Sequence, residues 1–216
     1  MSKIMSSITV VRHGETEWNR RGMHQGMLDS PLTARGREQA YQVAELLQHY
    51  TFHRLYSSDL GRAAETARIV GTALKLTINF DERLRERNLG KLGGLTVSQC
   101  KTEYPEIYEQ YKTGDPGYVV PGGESAAQAY ERSIGCFEEL AVRYPGESVL
   151  VISHGLILSY FLKHSLGIPL GQKIRFTLKN CSVNRFLKGE NGWMLDTWGE
   201  TGPGGRNNLT DPAMIH

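Results

Sequence analysis

Two kinds of hydrophobic pattern alternate along this chain. Ile8, Thr9, Val10 and Val11 form a β-branched run, and residues 148–153 read Ser-Val-Leu-Val-Ile-Ser; both predict strands buried on two faces. Shorter runs at 54–57 and 78–80 predict two more. Between them the apolar positions fall three and four apart, as on one face of a helix. Thr33 is a candidate N-cap for a helix to about residue 49, with Ala40, Val43, Ala44 and Leu47 facing inward. Ser57-Ser58-Asp59 is a candidate cap for a helix over 60–74, whose stripe is Ala64, Ala67, Ile69 and Val70. A third helical stretch, 96–112, breaks at Pro105, and 125–144 reads as a long helix with Ser125 as N-cap. Residues 156–166 follow as an apolar helix. Residues 176–187 and 192–198 read as strands joined at 188–191, a hairpin on the sheet edge. Strands alternating with helices predict an α/β fold with a mostly parallel sheet.

What interrupts the pattern carries the chemistry. The first strand stops at Arg12, His13 and Gly14, and the strand over 148–153 stops at His154 and Gly155. One Arg-His pair after a strand is usually an ordinary loop. Two buried strands each ending in His-Gly are a different matter, because the carboxyl ends of parallel strands open on one edge, where open α/β sheets bind ligands. His13 and His154 are therefore expected across one pocket, with Gly14 letting the backbone approach a ligand. Arg62 falls in the first turn of a helix just after a strand. A cation there opposes the helix dipole, so it suits a site where an anion also meets the unpaired N-H groups. Glu86 lies between Arg85 and Arg87 in a segment that does not read as helical, which would hold a carboxyl at a pocket mouth.

Composition narrows the class. The 216 residues carry 25 Lys and Arg against 23 Asp and Glu, a net charge of +2, with the basic residues dispersed. Nothing resembles the basic footprint of a nucleic-acid binder. Cys100, Cys136 and Cys181 are far apart and lack metal-ligand spacing, which suits a reducing compartment and argues against structural zinc. The start of the chain lacks an apolar leader pattern, and the most apolar stretch, 148–162, is too short for a bilayer span and is broken by His154 and Gly155. The expectation is a single cytoplasmic domain over 1–199, not bound to membranes, followed by a loose tail over 200–216, where apolar periodicity is lost. Oligomeric state is not readable.

Arg-His-Gly-Glu-Thr-Glu-Trp-Asn at 12–19, with Ser-His-Gly at 153–155, resembles the histidine phosphatase superfamily, the phosphoglycerate mutase-like proteins. The resemblance spans roughly 8–187. It implies a three-layer α/β/α sandwich around a mostly parallel sheet, and a phosphoryl-transfer site needing no metal and no cofactor. In that reading Arg12 and Arg62 clamp the phosphoryl oxygens and His13 is the nucleophile. His154, protonated against the phosphate, stabilises the transferring group. Leu-Arg-Glu at 84–86 resembles the family's general-acid segment, which gives that role to Glu86. The resemblance also puts Gly14, Glu15 and Thr16 at the substrate, with Asn19, Gln25, Gly26 and Gly155 as further contacts.

Family mutases carry a longer insert after the general acid, with an Arg-Arg pair and a proline run; residues 89–120 are short and contain neither. Hydrolysis of small phosphorylated metabolites is therefore the expected activity, with candidates such as phosphoglycerates, phosphoserine, ribazole phosphate or sugar phosphates. A phosphoglycerate mutase is the alternative, and a non-catalytic phosphate-binding module the second. The Pro- and Gly-rich loop over 113–123 is the expected lid, with Tyr104, Tyr108, Tyr111 and Tyr118 as candidate lining.

Overall fold

The computed structural model describes residues 6–202. Of the tail expected from sequence, residues 203–216 lie outside this range. Six strands form one sheet: β1 (Ser6–Arg12), β2 (Arg54–Ser57), β3 (Ile78–Phe80), β4 (Ser148–Ser153), β5 (Val183–Gly189) and β6 (Gly192–Glu200), in the order β3-β2-β4-β1-β5-β6. β1, β2, β3 and β4 run parallel, while β5 and β6 form the antiparallel margin. Seven helices are present among the described residues: α1 (Glu17–Arg20), α2 (Ala34–Leu47), α3 (Gly61–Leu74), α4 (Val97–Glu103), α5 (Pro105–Thr113), α6 (Ala126–Arg143) and α7 (Gly155–Ser165).

Side-chain alternation along the central strands makes three layers. Ile8 and Val10 of β1 join Val149 and Val151 of β4 in a core with α6 and α7, whereas Val11, Leu55, Leu150 and Ile152 face α2 and α3. Phe137 of α6 stacks on Phe161 of α7 at 4.1 Å, and Phe161 meets Phe186 of β5 at 4.3 Å. Each such ring, fully buried, contributes roughly 1.5–3 kcal/mol. A third, smaller core of Leu89, Leu92, Cys100, Tyr108 and Val120 holds α4, α5 and the following loop together.

The register sets up the site. Residues Ser7 to Arg12 of β1 lie opposite Ser148 to Ser153 of β4, so the two His-Gly pairs leave neighbouring parallel strands at the same level. Caps fix where the helices begin. Thr33 accepts a bond from the Gly36 N-H at 2.9 Å, and Ser125 forms a reciprocal capping box with Gln128. The loop expected as a lid is pinned from below, because Arg87 donates to the carbonyls of Tyr118 and Glu124, each at 3.1 Å.

Three expectations need correction. α3 starts with Leu60 at its N-cap and no side-chain cap. Asp59 is taken up by Arg85 at 2.7 Å, and Ser58 is turned toward His154. Residues 176–182 are not part of a strand: the paired register of β5 with β1 ends at Val183 opposite Val11, and Cys181, with a left-handed φ of 53° that breaks the extended backbone, keeps only a single bond to the Arg12 carbonyl. The hairpin itself lies on the sheet edge as expected, with β6 outermost. Glu200 ends β6 and accepts from the Tyr50 hydroxyl at 3.0 Å, so the ordered sheet extends past residue 199.

Candidate active site

β1 delivers Arg12 and His13 to its carboxyl end, where Arg12 is 2% and His13 3% exposed. Arg12 donates to the Leu178 carbonyl at 2.7 Å. His13 Nδ1 meets the carbonyl of Gly14 at 2.7 Å, while Arg62 Nε donates to His13 Nε2 at 3.3 Å. A carbonyl cannot donate and a guanidinium cannot accept. The ring therefore carries its proton on Nδ1 and presents a lone pair on Nε2. Its pKa is held well below 6.5 by burial first, then by the positive charges of Arg62 and Arg12. This is the neutral imidazole a nucleophile needs.

Arg62 sits in the first turn of α3, 1% exposed. Besides His13, three acceptors hold its guanidinium: the carbonyl of Leu28 at 2.8 Å, the Asp29 carboxylate at 3.1 Å and the carbonyl of Gly26 at 2.7 Å. Asp29 also accepts from the Arg62 backbone N-H at 3.3 Å, taking the place of the missing helix cap. The cation disfavoured by the helix dipole thus has its own counter-charge.

His154, fully buried, stands with its ring centroid 5.3 Å from that of His13. Its Nε2 shares a hydrogen bond with the Ser58 hydroxyl at 2.8 Å, and its buried Nδ1 has no hydrogen-bond partner among the described residues. A buried ring nitrogen without a partner is one that a polar ligand group could satisfy. Burial, then the charges of Arg62 and His13, hold the His154 pKa well below 6.5, so the ring expected to be protonated is neutral here.

Glu86 is 8% exposed, and its carboxyl group receives the N-H of Arg87 at 2.9 Å and the N-H of Leu156, in the first turn of α7, at 3.1 Å. Burial raises its pKa against the opposing pull of these two N-H groups and of Arg62 and Arg12. A carboxyl group with a raised pKa holds a proton to higher pH than an ordinary one, as proton donation requires.

Arg12, His13, Arg62 and Glu86 meet at a cavity of about 50 Å³, lined also by Asn19, His24, Gln25, Gly26, Tyr111 and Leu156; His154 lies behind His13, outside the lining. Gln25 brings a buried Oε1 with no hydrogen-bond partner among the described residues. Besides His154, four predicted contacts lie outside this lining. Gly14 is required for packing: a Cβ there would stand 2.4 Å from the Gly36 carbonyl oxygen at the start of α2. Glu15 accepts from the Thr33 hydroxyl at 2.8 Å, Thr16 caps α1 by bonding the Asn19 N-H, and Gly155 opens α7. They shape the loop rather than face the cavity.

Ser58, Asn180 and Asp29, the partner of Arg62, stand at the site without having been expected there. Ser58 orients His154, and Asn180 donates to the His13 carbonyl at 2.9 Å. The chain at 178–181 wraps the end of β1, with the Cys181 N-H bonded to the Arg12 carbonyl at 3.0 Å. Asn180 opens the Asn-Cys-Ser-Val run at 180–183. Tyr111, alone of the four tyrosines proposed for the lid, lines the cavity. Among the described residues no three His, Cys, Asp or Glu side chains converge as metal ligands, and no helix is long and apolar enough to cross a membrane.

Comparison with known proteins agrees with this geometry. The chain is 35% identical over 210 residues to "Probable phosphoglycerate mutase GpmB" of Salmonella choleraesuis, covering 97% of this chain and 98% of that one. Among solved structures, Bacillus stearothermophilus YhfR superposes with a TM-score of 0.84 at 29% identity, over 91% of this chain and 98% of the other. A mycobacterial glucosyl-3-phosphoglycerate phosphatase does so at 0.80 and 28%, over 90% and 99%. The paired His-Gly strand ends, the buried arginines and a family match spanning residues 8–201 lead to one conclusion: this chain belongs to the histidine phosphatase superfamily, branch 1.

Proposed function

We propose that this protein is a phosphatase that hydrolyses small phosphomonoesters through a phosphohistidine on His13. The observation that carries the reading is the state of that ring: neutral, proton fixed on Nδ1 by Gly14, and Nε2 turned toward Arg62 in the cavity. A phosphate dianion repels nucleophiles, so Arg12, Arg62 and a His154 protonated by the dianion itself would supply the opposing charge. His13 Nε2 bonds to phosphorus as the P-O bond to the leaving group breaks, and Glu86 gives that oxygen its proton. Water then attacks the phosphohistidine, Glu86 takes back a proton, the P-N bond breaks and inorganic phosphate leaves.

Hydrolysis is favoured over mutase chemistry by the segment after Glu86, residues 89–120, which lacks an Arg-Arg pair. The solved phosphatase relative supports this choice, while the mutase name of the Salmonella relative supplies the alternative. Incubation with 3-phosphoglycerate separates them: free phosphate is expected to accumulate, and conversion to 2-phosphoglycerate would make the protein a mutase. With p-nitrophenyl phosphate in the presence of a chelator, turnover is expected from wild type. His13→Ala should lower it about a thousandfold or more. Equal turnover by both would remove His13 from the chemistry.

A further inference from the structure

A second cavity, of about 150 Å³, adjoins the first and shares Tyr111 and Leu156 with it. Its lining is unlike that of the catalytic cavity. Tyr160 and Phe176 give it aromatic walls, and Arg87, Lys112, Lys163 and Lys173 bring four cations against one carboxylate, that of Asp115. Lys112 has an ion-pair partner in Glu109 at 3.3 Å. Lys163 does not: it is 9% exposed, donates to the Leu170 carbonyl at 2.6 Å, and forms no ion pair with a carboxylate among the described residues. Arg87, 6% exposed, donates to the carbonyls of Tyr118 and Glu124, is hydrogen-bonded to the Tyr160 hydroxyl, and lies over the Tyr111 ring at 5.5 Å. Lys173 donates to the Lys112 carbonyl. Burying an ammonium without an anion is costly, and burial does lower the Lys163 pKa.

The path between the cavities is one face of a helix. Leu156, Ser159, Tyr160 and Lys163 all line the second cavity, at the spacing that puts residues on one side of α7. Leu156 sits beside Glu86, the group that meets the leaving oxygen. Lys163 is seven residues further along, about 10 Å at the rise of an α-helix. This face gives the leaving group of a phosphoester held by His13 and Glu86 a direction in which to extend, and it is the direction in which the cations lie.

Building on the hydrolase reading above, we infer that the second cavity takes the leaving group of an extended phosphomonoester bearing a second anionic group, which Lys163 receives at the far end. The aromatic walls hold the middle of the substrate, and the unmatched cations select its charged terminus. The anion is a carboxylate or a second phosphate. A three-carbon phosphoacid is too short to reach from His13 to Lys163.

A substrate series tests this without relying on any variant. Phosphate monoesters of ω-hydroxy acids of increasing chain length would be compared with their methyl esters and with the α,ω-bisphosphates of matching length. Wild type should prefer an anionic terminus over the methyl ester by about ten- to a hundredfold in kcat/KM, as for a charge-assisted hydrogen bond, and only for the longer chains. The better of the acid and the bisphosphate identifies the anion. In Lys163→Met the ratio of acid to ester should fall toward one, mainly through KM. Equal turnover of acid, bisphosphate and ester at every length, with His13-dependent hydrolysis of p-nitrophenyl phosphate intact, overturns the second subsite and leaves the phosphatase reading standing. Loss of that His13-dependent hydrolysis would instead overturn the phosphatase reading itself.

Discussion

At the scale of single residues, Glu86 is the group whose environment most constrains its role. Burial raises its pKa, so the free enzyme keeps it protonated above the ordinary carboxyl range, and kcat/KM should fall as pH rises through that raised value. The opposite limb, set by protonation of His13, lies below 6.5. Glu86→Gln should remove the high-pH limb and lower kcat/KM about a hundred- to ten-thousandfold on alkyl phosphates, which need a protonated leaving oxygen. With p-nitrophenyl phosphate, whose phenolate departs unaided, the same variant should release a burst of nitrophenolate and then stall as phosphohistidine, detectable by intact-protein mass spectrometry. A variant that lost both substrates equally, with no burst, would place Glu86 outside proton transfer. The residues in direct line with the chemistry were legible because each sits in a short run beside a strand or helix end. Ser58, Asp29 and Asn180 were not, because what they do depends on groups 96, 33 and 167 residues away in the chain.

The elements place these residues by close approach of backbones. A Cβ on Gly36 would stand 2.0 Å from the Glu15 carbonyl oxygen, and one on Gly14 would meet Gly36 in return, so the loop after β1 and the start of α2 touch with no room for a side chain. Gly36→Ala should therefore cost about 1–3 kcal/mol by overpacking, a fall of about 2–12 °C in Tm for a chain of this size, and should lower activity by displacing His13. Gly135, on the exposed face of α6 with nothing within 4 Å of an added Cβ, makes the contrast. Gly135→Ala should stabilise the helix by about 0.5–1 kcal/mol and leave turnover alone. Thermal melts of the two variants check both signs. The pattern of apolar spacing identified α2, α6 and the caps Thr33 and Ser125, since periodicity and capping are local. The same reasoning extended β5 back to residue 176, because an apolar run reads as a strand whether or not a neighbour remains to pair with it. Where pairing ends is set by β1, which residues 176–182 do not encode.

Over the whole molecule, the parallel register of β1 and β4 forces two histidines into one dry site, and this has a consequence for stability. Both rings have pKa values well below 6.5, with burial as the largest cause. As pH falls below about 6.5 the unfolded chain takes up protons that the folded chain refuses, so ν_U exceeds ν_N and stability decreases with decreasing pH. Above 6.5 both states are neutral at these positions and the contribution is flat. Glu86 acts in the opposite sense: between its ordinary value near 4.5 and its raised value the folded state binds the extra proton, so its contribution is lost as pH rises through that window. Two histidines outweigh one carboxyl group. The net slope just below pH 6.5 should be positive and at most about 2.7 kcal/mol per pH unit, the limit for two protons. Asp59, Asp81, Glu138 and Glu139 are lowered from ordinary carboxyl values, so their destabilising protonation belongs to more acid solution and leaves the range from 5 to 6.5 to the histidines. Urea melts at half-unit steps across that range should show stability falling toward pH 5 in wild type and a much flatter profile when His13 and His154 are both replaced by Gln. An unchanged slope in the double variant would mean that the acid sensitivity comes from elsewhere, and that the two rings accept protons in the folded site as readily as they do in water.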